Sequence, residues 1–535
     1  MIGSHAIRSL ADELLCIEKV GRDSGGLRTE LKPHQSRVVS KMLREDQPGL
    51  VVAHGLGSGK TLTSIAVQDA LGMPADVIVP AALQENYAKE RKLHLGPNPQ
   101  KANMATIQRV ARSGVVGKSP LMIIDEAHRL REAGGKGQRA IANNAAEKRL
   151  LLTGSPFYNR PSDISSLVNI AAGNNQLPGD PDEFRRRYIS EEKVRPGFWG
   201  TLKGVQPGVV ERPNARSMPG LKKILNKWVD YEPSSTVDFP TVTRENVDVP
   251  MGPQQREMYD AIIGQAPPWV QYKINRGLPP SKQESRQLNA FSTAVRQISN
   301  STRAHAPKST PQETKIDEAF SRLQKELAGN ERSKAIVYSN YLPTGITPYR
   351  ERLSKAGIQF GEYTGEMPKA SRDQLVRDYN EGKKRVMLLS SAGGEGLDLK
   401  GTRLVQMMEP HWNNEKLRQV EGRAIRYKSH AHLPENERNV RVESYRATKP
   451  SKGLMEKMHM RAPGKGIDEY LTQMSENKDQ LNDHFRQLLL QKKLAAKSAK
   501  KSWRAESRDD VDDAPGEPTV TQAPPRDQYL QLTQR

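Results

Sequence analysis

The chain has 535 residues, 35% of them hydrophobic, with 83 Lys and Arg against 62 Asp and Glu and a formal net charge of +21. No apolar run reaches the ~18 residues of a membrane span, the N-terminus carries charges where a signal peptide would have an apolar core, and the one cysteine, Cys16, allows neither an intrachain disulfide nor a cysteine zinc cluster. A reducing compartment and a polyanionic partner fit this composition, and ~150 residues per domain gives three or four units.

In chain order, Leu50–Ala53 is a short apolar run suited to a buried strand, and HGLGSGKTLTS, His54 to Ser64, follows it. Leu62, Ile65, Ala66 and Ala70 then recur at helical spacing. Strand, Gly-rich loop and helix in that order make a phosphate cradle: Gly55, Gly57 and Gly59 let backbone N–H groups converge on phosphate oxygens, Lys60 supplies a point charge, and the Thr61 hydroxyl can bind Mg²⁺. His54 stands where the strict pattern has its first glycine and is expected on the nucleotide with the rest of the loop. Further apolar runs at Val77–Val79, Leu121–Ile124 and Leu150–Leu152 alternate with helix-like segments, as buried parallel strands do. The third run, Leu121–Ile124, delivers Asp125 and Glu126 to a strand's C-terminal edge. Asp125 is expected to hold the metal with Thr61, and Glu126 to act as the base for the attacking water.

Residues 176–310 are rich in Arg, Lys, Pro and Gly with scattered helical patterning, and Trp199, Trp228 and Trp269 read as small cores within that segment. A second α/β block repeats the theme at Ala335–Tyr338, Val386–Leu389, Leu404–Met408 and Val440–Tyr445. A charged helical stretch runs through Lys501, its Lys492–Arg504 cluster reading equally as a DNA contact or a solvated face. The acidic, Pro-containing end is expected to be disordered. The eleven histidines show no metal-ligand spacing.

HGLGSGKT, the DEAH box at Asp125–His128, LTGSP at Leu152–Pro156 and QVEGRAIR at Gln419–Arg426 resemble motifs I, II, III and VI of superfamily 2 helicases, in order. LKPHQ at Leu31–Gln35, VIVPAALQENYAKE at Val77–Glu90, LTGSPFYNRPSDISSLVNI at Leu152–Ile170 and FPTVTRENVDVPMGPQQREMY at Phe239–Tyr259 resemble the Swi/Snf-like branch. The ending RAIRYKSH, with HLPENERNVRVESY and KGIDEYLTQMSENK, is more similar to ATPases of large DNA viruses and phages, including the poxvirus nucleoside triphosphate phosphohydrolase.

The resemblance implies an α/β fold of two RecA-like parallel-sheet lobes, residues 29–175 and 311–450, with a mainly helical insertion at 176–310. It also implies an N-terminal extension at 1–28, a helical C-terminal extension at 451–502 and a tail at 503–535. It implies ATP and Mg²⁺ as cofactors, Gln35 on the adenine edge, and Arg423 and Arg426 facing the nucleotide across the cleft beside the catalytic Lys60 and Glu126. His128, Thr153, Ser155, Asp398 and Gln419 are expected to couple the lobes, Asp398 standing where the branch usually has asparagine. Pro80, Thr106, Ser339, Ser391 and Gly393 are expected on nucleic acid.

The function so implied is a DNA-stimulated motor that translocates on duplex DNA to displace bound components. A strand-separating DNA or RNA helicase, and a viral or phage transcription or assembly factor that uses hydrolysis as a switch, are the rival readings. Expected partners are double-stranded DNA and a polymerase or virion or phage protein, with no membrane. The expected location is cytoplasmic or host intracellular, nucleoid-associated or virion-packaged.

Overall fold

The structure, a computed structural model, describes residues 26–55, 57–131, 134–202, 205–233, 238–281, 284–304, 309–363, 367–390, 397–412, 414–451 and 464–506. The chain divides into two compact units, Met1–Leu489 and Leu490–Arg535. The second contributes the continuation of a helix as far as Glu506, and the first contains both sheets and all of the candidate site.

Five strands arise in the first third of the chain: β1 (Gly49–His54), β2 (Ala75–Ile78), β3 (Ala102–Ala105), β4 (Leu121–Ile124) and β5 (Lys148–Thr153). An antiparallel hairpin, β6 (Ile189–Val194) with β7 (Gly208–Pro213), comes next. Then come β8 (Val229–Glu232), β9 (Thr241–Pro250), β10 (Lys334–Ser339), β11 (Phe360–Tyr363), β12 (Val386–Ser390), β13 (Thr402–Met407) and β14 (Asn439–Thr448). They build two six-stranded sheets, ordered β3-β2-β4-β5-β1-β8 and β11-β12-β10-β13-β14-β9. Every pairing described in the two sheets is parallel.

Both sheets are covered on both faces, which is why their central strands read as unbroken apolar runs. Side chains alternate between faces: Leu50 and Val52 pack with Val38 and Ile65 on one side of the first sheet, while Val51 and Ala53 pack with Ile164 and Leu167 on the other. In the second sheet Ala335 and Val337 face Leu323 and Tyr349, and Ile336 and Tyr338 face Tyr379 and Val420.

The segment expected as one insertion, 176–310, is not separate from the lobes. Its β8 extends the first sheet, with Val52 opposite Asp230 and His54 opposite Glu232. Its β9 extends the second sheet, in continuous register with β14 from Thr241 opposite Asn439 to Pro250 opposite Thr448. Trp228 likewise lies in the core of the first lobe rather than in a core of its own. The remainder does hold helices, among them Met218–Trp228, Pro253–Gly264 and Glu284–Asn300.

The helix Ile467–Glu506 touches both halves of the fold. Ile467, Tyr470, Leu471 and Met474 pack with Tyr259, Ile274 and Ala447, whereas Leu481, Phe485 and Leu489 enter the core of the first lobe. There the ring of Phe485 lies 6.0 Å from that of Phe157. A fully buried pair, Lys315 Nζ to Asp468 Oδ2 at 2.7 Å, pins the start of this helix.

Candidate nucleotide site

β1 ends on His54, and the loop to the helix Lys60–Leu71 turns through two left-handed glycines, Gly57 at φ 70° and Gly59 at φ 76°. Gly59 caps that helix, so the unpaired N–H groups of its first turn open into the loop, the arrangement that suits an anion. A Cβ on Gly57 would collide with the ring of Phe239, and one on Gly59 would lie 2.5 Å from Gln35 Nε2. Glycine is therefore required at both positions for space as well as for conformation. Lys60 Nζ donates to the carbonyls of His54 at 3.0 Å and Gly55 at 3.1 Å. Burial pushes its pKa down against the attraction of Glu126 and Asp125. Thr61 sits in the first turn of the same helix.

Gln35 is buried against the loop. Its amide donates to Ser58 O at 3.2 Å and Gly59 O at 3.3 Å, and its carbonyl accepts from Lys32 N at 2.8 Å. Its side chain thus ties the helix Pro33–Leu43 to the phosphate loop.

The side chain of His54, expected on the nucleotide, is instead committed to β8. Nε2 meets Asp230 Oδ1 of β8 at 2.8 Å in a fully buried contact. Asp230 also takes Arg37 at 2.7 and 2.9 Å and Lys41. Burial would raise the Asp230 pKa, but Lys41, His54 and Arg37 outweigh it and hold the carboxyl well below the ordinary carboxylate range. Burial lowers the His54 pKa against the hydrogen bond and charge of Asp230. The loop is held through the main chain as well, Gly55 N donating to Glu232 O at 2.8 Å.

Asp125 lies buried just past the end of β4 and accepts from the Glu126 N–H at 2.9 Å. Burial, with the charge of Glu126, pushes its pKa up to about 6. Glu126 adopts left-handed backbone at φ 51°, which is unfavourable for a side chain this long and recurs at functional sites. Burial would raise its pKa, but the hydrogen bond and charge of His128, with Lys60 and Arg129, bring it below the ordinary value. Its Oε2 lies 3.2 Å from His128 Nδ1, and Thr153 Oγ1 lies 3.5 Å from the same nitrogen. The His128 ring stacks parallel on Tyr158 at 4.9 Å. Gln419 of the second lobe joins His128, Tyr158, Arg131 and Gln108 around a cavity of about 390 Å³.

Ser155 donates to Glu415 Oε2 at 2.8 Å, linking the loop after β5 to the helix Asn414–Ala424 of the second lobe. Arg423 is buried in that helix. Arg426, just beyond it, donates to Gly422 O at 3.0 Å. Burial lowers the Arg426 pKa against the pull of Asp398 and of Glu126 across the cleft. The Asp398 carbonyl accepts from Asn380 Nδ2 at 3.0 Å.

The expected nucleic-acid residues fare differently. Ser339 is fully buried and its hydroxyl is committed to Glu409 at 2.5 Å and Tyr341 O at 3.2 Å, so it does not present a surface contact. Pro80 is also buried, its carbonyl accepting from Leu83 N at 2.8 Å. Both sit at strand ends, the usual place for such contacts, but there the chain turns inward. Thr106 caps the helix Ile107–Ser113, accepting from Arg109 N at 3.1 Å. Ser391 and Gly393 lie outside the described residues.

Sequence reasoning does not single out Asp230, Glu415, Phe239 or Tyr427. A carboxylate in WVDYE or an aromatic in RYKSH has no local signal that tells it from a surface residue. Only the pairing of β8 with β1, 176 residues apart at His54 and Asp230, gives the first of them a role.

Two parallel α/β lobes, with a phosphate loop and paired acids on the first and a Gly-Arg-x-x-Arg segment at a helix end on the second, define a helicase-like ATPase. Comparison with known proteins agrees. Residues 106–304 match the SNF2-related domain and residues 318–428 the helicase conserved C-terminal domain. A protein of Acanthamoeba polyphaga mimivirus, named as an ATP-dependent RNA helicase, is 30% identical over 86% of this chain and 96% of its own. A termination factor NPH-I homolog of African swine fever virus is 24% identical over 83% of this chain and 76% of its own. The helicase YqhH of Bacillus subtilis is 23% identical over 85% and 83%. Among solved structures, the Sulfolobus solfataricus SWI2/SNF2 ATPase core in complex with dsDNA is 17% identical, covers 85% of this chain and 95% of that one, and superposes with a TM-score of 0.32. The chain belongs to the SNF2-related helicase family of ATP hydrolases.

Proposed function

We propose that the protein is an ATP-driven motor that tracks along duplex DNA and uses the stroke to displace what is bound there. The observation that carries this reading is the division of one site between two lobes: Lys60, Asp125 and Glu126 on the first, and Arg426, within the electrostatic reach of Glu126, on the second. Lys60 would leave the loop carbonyls for the outer phosphates, Asp125 and Thr61 would hold Mg²⁺, and Glu126 would take the proton of the attacking water. A buried carboxylate whose pKa is raised by desolvation suits a cation partner, and a site with few protein ligands suits Mg²⁺, which keeps waters and phosphate oxygens in its shell. Bound there, Mg²⁺ supplies charge neutralisation on the outer phosphates. Arg423 and Arg426 would stabilise charge on the transferring group only when the cleft is closed, which couples hydrolysis to lobe movement.

The net charge of +21 supports a polyanionic track. The test is the rate of ATP hydrolysis with duplex DNA, single-stranded DNA and RNA as competing activators. Duplex DNA should stimulate at least as well as single strands, a third strand should be stripped from a triplex, and forked duplexes should yield little separated product. Robust unwinding of a long duplex, or stimulation by RNA alone, would promote the strand-separating reading instead. A second reading, a motor acting on transcription complexes, rests on the name of the African swine fever virus relative. It would be favoured by release of a stalled polymerase that depends on ATP.

A further inference from the structure

Two non-glycine residues adopt left-handed backbone at one place, Asp238 at φ 61° and Lys428 at φ 55°. They are joined, the Lys428 N–H donating to Asp238 O at 2.9 Å. Asp238 lies in the passage from β8 to β9, and Lys428 comes just after the helix that carries Arg423. Paired backbone strain of this kind persists where the neighbouring residues must be aimed.

The neighbours are Phe239 and Tyr427. Their ring centroids lie 6.3 Å apart with a tilt of 57°, and both press on the phosphate loop: a Cβ on Gly57 would strike the Phe239 ring and lie 3.3 Å from Tyr427 Cβ. Tyr427 nonetheless remains 41% exposed, one of few large apolar side chains so left among the described residues. Lys32 Nζ lies 5.1 Å and Lys428 Nζ 5.2 Å from the centre of its ring. The backbone N–H of Lys32 in turn holds the amide of Gln35 at 2.8 Å. One small region therefore combines the phosphate loop, a partly exposed aromatic ring and two ammonium groups that lie over it.

A partly exposed ring beside a phosphate loop, covered only by two flexible lysine side chains and Phe239, matches a flat base tethered to those phosphates, and the ammonium groups match the charge of the tail. The geometry points to Tyr427, seated on Phe239, as the stacking platform for the purine base of the nucleoside triphosphate. This rests on the ATPase reading of the loop. Stacking is indifferent to the hydrogen-bonding edge of the base, so the platform grips adenine and guanine alike.

The experiment uses the full chain as wild type, Tyr427→Ala, Tyr427→Phe and Phe239→Leu. For each, KM and kcat are measured for ATP and GTP, together with the inhibition constant of inorganic tripolyphosphate, which has the phosphates and no base. Tyr427→Ala should raise both KM values by about tenfold, the size of a lost base–aromatic stack, while tripolyphosphate inhibits as before. Tyr427→Phe should retain the wild-type KM, and Phe239→Leu should fall between. An unchanged KM in Tyr427→Ala would overturn the platform, as would equal weakening of ATP and tripolyphosphate, which would make the ring a clasp between the lobes. Absence of hydrolysis in the wild type would instead remove the ATPase reading beneath it.

Discussion

Replacing Asp230 by Asn tests whether the strand that leaves the first lobe also holds the phosphate loop. The carboxylate is 1% exposed and meets three cationic or donor side chains, Arg37 at 2.7 Å, His54 at 2.8 Å and Lys41. Removing one partner of a buried ion pair costs about 3–5 kcal/mol, because the charges left behind are uncompensated. Asparagine keeps an acceptor for His54, so the lower figure applies. Since ~1 kcal/mol moves the melting temperature of a 150–250-residue unit by ~2–4 °C, a loss of about 3 kcal/mol lowers it by roughly 6–12 °C. The effect has a definite pH dependence. The folded-state pKa of Asp230 is depressed, so its contribution is complete above the unfolded value of ~3.9 and is lost as pH falls through the folded value below that. Melting followed by circular dichroism at pH 7, 5 and 3.5 should therefore give a full gap between wild type and variant at the first two and a narrower one at the third. Hydrogen exchange at Val51–Ala53 should accelerate in the variant, since these residues pair directly with β8. A gap under about 1 kcal/mol at pH 7 would refute the reasoning, because a pair that weak is in effect solvent-exposed.

The other outcomes are more local. Lys60→Ala should nearly abolish ATP hydrolysis in a steady-state assay, since the loop loses its mobile cation; wild-type turnover would make the loop a structural turn. Glu126→Gln should bind nucleotide in an equilibrium assay yet hydrolyse it slowly, having kept the shape and lost the base; loss of binding would reverse the roles given to Asp125 and Glu126. Phe485→Ala, which empties a fully buried position between Phe157 and Phe184, should destabilise the first lobe by about 3–5 kcal/mol in urea unfolding.

The sequence is most legible where one physical requirement dominates. β1, β4, β5, β10 and β12 are sheathed on both faces and so appear as apolar runs, and the glycines of the phosphate loop appear because backbone must approach phosphate. β8 and β9 escape notice for the opposite reason. They are edge strands, β8 only four residues long and β9 exposing Thr241, Thr243 and Arg244, so Val-Asp-Tyr-Glu and Thr-Val-Thr-Arg-Glu-Asn read as ordinary polar chain. The candidate site divides in the same way. Lys60, Asp125 and Glu126 announce themselves by local spacing, whereas the partners that hold the site arrive from far away: Asp230 beneath His54, Glu415 against Ser155 and Tyr427 on Gly57. Ser339 falls on the other side of this limit, because the buried Glu409 that claims its hydroxyl lies 70 residues on.

The helix that begins at Ile467 imposes a kinematic rule on the two lobes. From Tyr470, seated beside the end of the second sheet, to Phe485 inside the first lobe, it spans about 22 Å at ~1.5 Å per residue, and a packed helix neither stretches nor shortens by much. Two bodies joined by a rod anchored in both can swing about its ends, but they cannot draw apart beyond its length. The rod also reaches the seam itself, for Arg486 holds Glu415 at 2.6 Å, the carboxylate that receives Ser155. Any closing of the cleft is thereby confined to a pivot of bounded arc about the ends of one helix.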